Sequence, residues 1–194
     1  MSEQIINESE VREAIPDFKR LYTVDALLDL EGELYVELYE GQIVVMFHPT
    51  RRHEAIKTEI SGQIWQFLKG KSCNVYTSHF GVKPNSDEES LFLPDIVVIC
   101  DSSKQGDRVY EGAPDFIIEI LSPSTALMDK KLKFQKYQKA GVKEYWIVDP
   151  VHNLIEANIL NNNLYTTAIY TENEKAPVQV LEGFELDLSE VFAE

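Results

Sequence analysis

One stretch constrains this chain more than any other: Ala113-Pro114-Asp115-Phe116-Ile117-Ile118-Glu119-Ile120-Leu121-Ser122. A run this apolar reads as a strand covered on both faces. Within its apolar part, Phe116 to Leu121, a single acid, Glu119, stands, and an ionised carboxylate is costly to bury without a partner. Either a metal cation or a nearby lysine compensates it, or Glu119 ends the strand and reaches water or the next helix.

The run opens a larger unit. Ser122-Pro123-Ser124-Thr125 reads as a turn, with Ser122 and Thr125 as helix caps. Residues 127–140 follow with helical character, and Gly141 stands at the C-terminal cap position. Glu144-Tyr145-Trp146-Ile147-Val148-Asp149 is a second strand, stopped by Pro150. Residues 115–149 thus read as strand, helix, strand, a βαβ unit with a parallel pair.

Upstream, residues 1–20 are polar and mixed and read as an arm. Thr23 caps a short helix within 22–30. Leu34 to Met46 holds two alternating strands around Glu40-Gly41, a hairpin. Glu37 lies in the first of them, and the pattern alone gives it an exposed strand position. Residues 53–69 are helical, with Ile56, Ile60, Ile64 and Phe67 on one stripe. His53 stands at the start of that helix, as a capping or packing residue. Residues 74–83 read as one strand, followed by a polar loop to Ser90. Leu91 to Cys100 is a further buried strand, whose ladder starts near Asp95 because Pro94 does not suit a strand interior.

Residues 101–112 read as a polar connection. Beyond Pro150, Leu154–Leu160 and Leu164–Tyr170 form a hairpin around Asn161-Asn162-Asn163. A short strand near 178–181 and a terminal segment at 188–192 complete the chain. The predicted class is α/β, a mixed sheet flanked by helices, in a single domain over 21–194 behind the arm.

The charge limits the partners. There are 33 acids against 18 Lys and Arg, a formal charge of −15. Nucleic-acid binders usually carry a basic footprint, so a polyanionic partner requires a local basic face. No run approaches the roughly 18–20 apolar residues of a membrane span, and no membrane partner is expected. The first residues lack the apolar core of a secretory signal. Cys73 and Cys100 fit no metal spacing. A reduced, cytoplasmic protein with two free thiols is the expectation.

Period-two geometry puts residues 95, 97 and 99 on one strand face, and 115, 117, 119 and 121 on one face of the opening strand. If these strands are neighbours, Asp95 and Glu119 converge. Two close carboxylates repel, and a hard divalent cation relieves that repulsion. On the following helix Asp129, Lys133 and Tyr137 recur at intervals of four and share a face. A lysine there reaches the same site, although Asp129–Lys133 also reads as a simple helix pair. Tyr137 and Trp146 read as packing residues.

These residues together resemble a known family. Tyr35-x-Glu37-x-x-x-Gly41, Met46, His53 and Pro94-Asp95 precede Pro114-Asp115-x-x-x-Glu119-x-x-Ser122-Pro123-Ser124-Thr125. Asp129-x-x-x-Lys133-x-x-x-Tyr137-x-x-Ala140-Gly141-Val142-x-Glu144-Tyr145-Trp146-x-Val148-Asp149-Pro150 completes the set. The pattern is similar to the Uma-type family of restriction endonucleases, within the PD-(D/E)XK nuclease superfamily, over about residues 20–185. The resemblance implies a restriction-endonuclease-like core and a metal-dependent phosphodiesterase. It implies Asp95 and Glu119 as ligands of Mg²⁺ or Mn²⁺, Glu37 as an additional acid, and Lys133 as the catalytic lysine. A strict D/E-x-K pattern places lysine at 121, where Leu121 stands, so the lysine is carried on the helix, with Lys131 as the competitor. Nucleic acid, DNA first, is the implied substrate, and a homodimer suits cutting two strands. The charge favours an alternative: a nuclease fold retained as a non-catalytic binding or assembly module.

Overall fold

The computed structural model describes residues 20–28, 35–46, 48–77, 80–84, 89–123 and 125–193. The arm expected over 1–20 falls outside these residues, apart from its last position. The expected helix near the start is α1, Val24–Leu28, where Thr23 Oγ1 accepts from Ala26 N. The hairpin is β1, Val36–Tyr39, and β2, Gln42–Val45. Its turn has Glu40 at φ 48° and Gly41 at φ 79°, the positive-φ pair of a tight two-residue hairpin loop. The striped helix is α2, Arg51–Leu68. It starts two residues earlier than the stripe predicts, because Thr50 caps it by accepting from His53 N at 3.2 Å.

The strands that follow are β3, Asn74–Thr77, β4, Gly81–Lys83, β5, Ile96–Ile99, β6, Val109–Glu111, and β7, Phe116–Ile120. A π-helical turn over Met128–Lys133 runs into α3, Phe134–Ala140, which ends on Gly141 at φ 92°. β8, Glu144–Asp149, returns parallel to β7, giving the expected βαβ unit. β9, Leu154–Asn161, and β10, Leu164–Thr171, form the second hairpin. β11, Lys175–Pro177, β12, Glu185–Asp187, and α4, Leu188–Val191, close the described chain.

The main sheet has the order β10-β9-β8-β7-β5-β3. β7 is central, parallel to β8 and antiparallel to β5. Alternation along each strand supplies two cores. On one face, Ile56, Ile60 and Ile64 of α2 pack with Ile96, Val98, Phe116, Ile118 and Trp146. On the other, Val97, Ile117, Tyr145 and Ile147 meet Tyr137 and Val142 beneath α3. Glu119 continues the face of Ile117, so its carboxylate points into the α3 side.

Four expectations need correction. The strand predicted over 74–83 is two strands, and β4 leaves the main sheet to pair in parallel with β6. The connection over 101–112 contains β6 and a short 3-10 turn, Ser102–Lys104. Residues 178–181 form a turn in place of a strand: Val178 N donates to Phe184 O, and Leu181 N to Val178 O. Their apolar side chains, Val178 and Leu181, are buried as the strand pattern requires, but pairing falls to β11 and β12 on either side. Finally, Cys73 and Cys100 are joined as a disulfide with Cα atoms 4.0 Å apart. The β3–β5 register pairs Asn74 with Ile99, so the next residues outward on the two strands are these cysteines. The expected free thiols are overturned by that antiparallel register. No described helix is long and apolar enough to cross a membrane.

Candidate active site

The register Ile96↔Ile118 sets Asp95 opposite Glu119. Their main chains lock the pair reciprocally. Asp95 N donates to Glu119 Oε2 at 3.4 Å, and Ile120 N donates to Asp95 Oδ2 at 2.8 Å. The convergence predicted from strand faces is thus present.

Lys133 comes in from the helix side. The π-helical turn carries Asp129 and Lys133 on its buried face. Such turns widen the helix locally and are frequent where a side chain must be re-aimed. The Lys133 ammonium donates to Glu119 Oε1 at 2.9 Å and to Glu37 Oε1 at 2.8 Å, and lies 3.4 Å from Asp129 Oδ1. Lys131 is exposed, so of the two candidates only Lys133 enters the cluster. Tyr137, one turn further, directs its hydroxyl at Glu119 Oε1, 3.4 Å away, while its ring packs edge-on against Phe92 and Tyr145.

Glu37 departs from its pattern. It is 2% exposed, and Oε1 accepts from Leu93 N at 2.8 Å as well as from Lys133. The hairpin docks through the bridge Leu38↔Leu91, which turns the face of Glu37 inward. This contact also holds the chain two residues before Asp95. Two further groups, which the sequence reading placed as a helix-pair acid and as a capping or packing histidine, join the site. His53 Nε2 lies 3.2 Å from Asp95 Oδ2, with Nδ1 3.5 Å from Glu54 Oε1. Asp129 Oδ1 is buried without a hydrogen-bond partner among the described residues. Its i, i+4 spacing to Lys133 was the signal for it. The position of His53 one helix away from Pro94-Asp95 left none.

The electrostatics follow from burial. Desolvation pushes the carboxyls of Glu37, Glu119 and Asp129 above the usual range, with Lys133 as the main opposing charge. Burial alone would lower the Lys133 ammonium, but Glu119, Glu37 and Asp129 hold it well above its ordinary value. Burial also works against charging His53, and the Asp95 carboxylate overrides it and raises that imidazole. One ammonium therefore faces three buried carboxylates, with Asp95 beside them.

This donor set suits a hard cation. Among the described residues no group of three or more His, Cys, Asp or Glu is arranged as a metal site. A magnesium site needs only one or two carboxylates, with water completing the shell. Among the described residues, the contacts to the Asp95 side chain fall on Oδ2, and Glu119 Oε2 receives the 3.4 Å amide alone. Asp95 Oδ1 and Glu119 Oε2 are the oxygens available to a cation, and the surplus negative charge is what one would offset.

Among the described residues, three of the cations that could line a basic groove beside the pair are engaged elsewhere. Lys130 binds Glu156, Lys136 lies 3.5 Å from Glu40, and Arg52 holds Pro150 O and Asn153 Oδ1.

The fold is that of a nuclease-like mixed sheet. A solved structure of a "putative nuclease" from Anabaena variabilis matches it with a TM-score of 0.74 at 22% identity, over 89% of this chain and 98% of that one. The chain belongs to the Uma2 family, "Putative restriction endonuclease", which it matches over residues 16–189. Two uncharacterized proteins of Synechocystis are similar in sequence. One, slr1290, is 28% identical over 66% of this chain and 66% of its own length. The other, sll1609, is 26% identical over 58% of this chain and 65% of its own length. These matches span just under two thirds of either relative.

Proposed function

We propose that this protein is a divalent-metal-dependent nuclease that hydrolyses phosphodiester bonds of nucleic acid. The observation that carries the reading is the meeting of Asp95, Glu119 and Lys133 at the mouth of the β5–β7 pair, in a chain of the Uma2 family. On this reading the site is of the PD-(D/E)XK type, with its lysine supplied by a helix. Asp95 and Glu119 would hold Mg²⁺ or Mn²⁺, which supplies Lewis-acid stabilisation of the charge that develops on phosphorus. Lys133 orients a water by hydrogen bonding and adds its own positive charge near the reacting phosphoryl oxygens. Glu37 and Asp129 keep that ammonium protonated and aimed. Tyr137 donates its hydroxyl to the same Glu119 oxygen that Lys133 engages. The reading takes residues 21–194 as one catalytic domain, with DNA as the first substrate to try and a homodimer as the form that cuts two strands.

The test is cleavage of single- and double-stranded DNA and RNA with Mg²⁺ or Mn²⁺ by the wild type, Asp95→Ala and Glu119→Ala. Cleavage by the wild type that both variants lose supports the reading. If the wild type cleaves nothing that those variants spare, it fails. A second reading, a non-catalytic binding or assembly module, draws on the charge of −15 and on the lysines and Arg52 paired away from the site. It predicts no metal-dependent turnover with any of these substrates.

A further inference from the structure

The depth of the site is itself informative. The side chains of Glu119 and Lys133 are 5% and 2% exposed, and Asp95, at 14%, forms the rim. A cleft of 610 Å³ lies between the approach to β1, the first turns of α2 and the end of β3, and its walls are formed by neighbours of that rim. Three contacts tie it to the acids. Glu54 in its wall approaches His53, which in turn meets Asp95. Thr77 in its wall pairs with Ile96, the neighbour of Asp95. Tyr35, half-buried at its edge, lies within the electrostatic reach of Asp95, Glu37 and Glu119.

We infer that this cleft admits a single nucleic-acid strand, with a base against the Tyr35 ring, and excludes an intact duplex. The inference rests on the nuclease reading above and specifies its substrate. A cleft of this size falls within the range of about 300–1,000 Å³ that encloses a small ligand. A duplex is a stiff rod that cannot lower one phosphate past Asp95 into an enclosed site, whereas a single strand bends and splays its bases. Charge argues the same way. A duplex carries one negative charge per about 1.7 Å of axis and a single strand about half that density. The cleft offers one lysine, Lys57, and that lysine already pairs with Glu54. Aromatic stacking, which is tolerant of sequence, supplies affinity where cations are few.

The experiment measures fluorescence anisotropy of a labelled oligothymidylate, an oligouridylate and a duplex of equal length, with Ca²⁺ replacing Mg²⁺. The same titrations are made on Thr58→Trp, which places a large ring in the cleft from an exposed helix position. Mn²⁺ binding to both proteins is followed by calorimetry. A single strand bound about tenfold more tightly than the duplex, and weakened by a similar factor in Thr58→Trp with Mn²⁺ binding kept, is the expected result for either sugar. Equal or tighter binding of duplex overturns the inference and leaves the nuclease reading intact. Single-strand binding unaffected by Thr58→Trp also overturns it, as does the absence of nucleic-acid binding by a protein that takes up Mn²⁺. Failure of the wild type to bind Mn²⁺ counts against the nuclease reading itself.

Discussion

Asp95 and Glu119 are held face to face by their own main chains: the amide of Asp95 donates to the Glu119 carboxylate, and the amide after Glu119 donates back to Asp95. The geometry of the pair therefore belongs to the β5–β7 ladder and does not depend on an ion being present. The Lys133 ammonium on Glu119 offsets part of the negative charge that this pair and its neighbours Glu37 and Asp129 concentrate.

The first prediction concerns that cation. Calorimetric titration with Mn²⁺ should show one site in the wild type, weakened about tenfold or more by Asp95→Asn and by Glu119→Gln. An unchanged isotherm in both variants removes the site from these two residues.

Lys133 and its acids give contrasting stabilities. Lys133→Met leaves Glu37, Glu119 and Asp129 buried without a cation and should cost about 3–5 kcal/mol in urea unfolding without added metal. Asp129→Asn removes one surplus charge from the same cluster and should cost less than about 1 kcal/mol. Equal losses from both variants would mean that Asp129 is a required partner of Lys133 and not part of a surplus.

The other face of the sheet carries a pH effect. Glu144 is fully buried at the start of β8, accepts from Trp146 Nε1 and Val180 N, and burial raises its carboxyl to about 7. Its proton is bound more tightly in the folded chain than in the unfolded one. The corresponding stability is present in full below the ordinary value of 4.5 and is lost as pH rises through about 7. The loss amounts to roughly 3 kcal/mol at most. Glu144→Gln should flatten this part of the stability curve, read by denaturant midpoints between about pH 4.5 and pH 7. A slope that survives the substitution assigns the effect elsewhere.

The edge strand β10 carries no charged residue, and such an edge invites pairing with other chains. Gln138 blunts it, since Oε1 accepts from Tyr165 N at 2.9 Å. Gln138→Ala should cost about 1 kcal/mol and raise light scattering on mild heating. Scattering equal to that of the wild type would show that the edge needs no such cover.

Much of this arrangement was legible from local pattern. Strand alternation brought Asp95 to Glu119, the intervals of four put Asp129, Lys133 and Tyr137 on one helix face, and Gly141 ended that helix. These are relations within a few residues or between adjacent strands. What escaped depends on long-range docking. The inward turn of Glu37 follows from the Leu38–Leu91 bridge, and the contact of His53 with Asp95 follows from where the start of α2 meets the sheet. The cysteine pair was misread because its partnership exists only through the β3–β5 register. Val178 and Leu181 were read as a strand because a buried turn shows the same apolar spacing.

The contacts of Lys133 also order events as the chain folds. Its bond to Glu119 spans 14 residues inside one βαβ unit, whereas its bond to Glu37 spans 96. Short closures form early and long ones late, because the entropy of bringing the ends together grows with their separation. During synthesis Glu37 emerges before Lys133, so the cation that neutralises it is made 96 residues later. The completed Lys133 cluster therefore requires the β1–β2 hairpin to be docked as well as the βαβ centre to be formed.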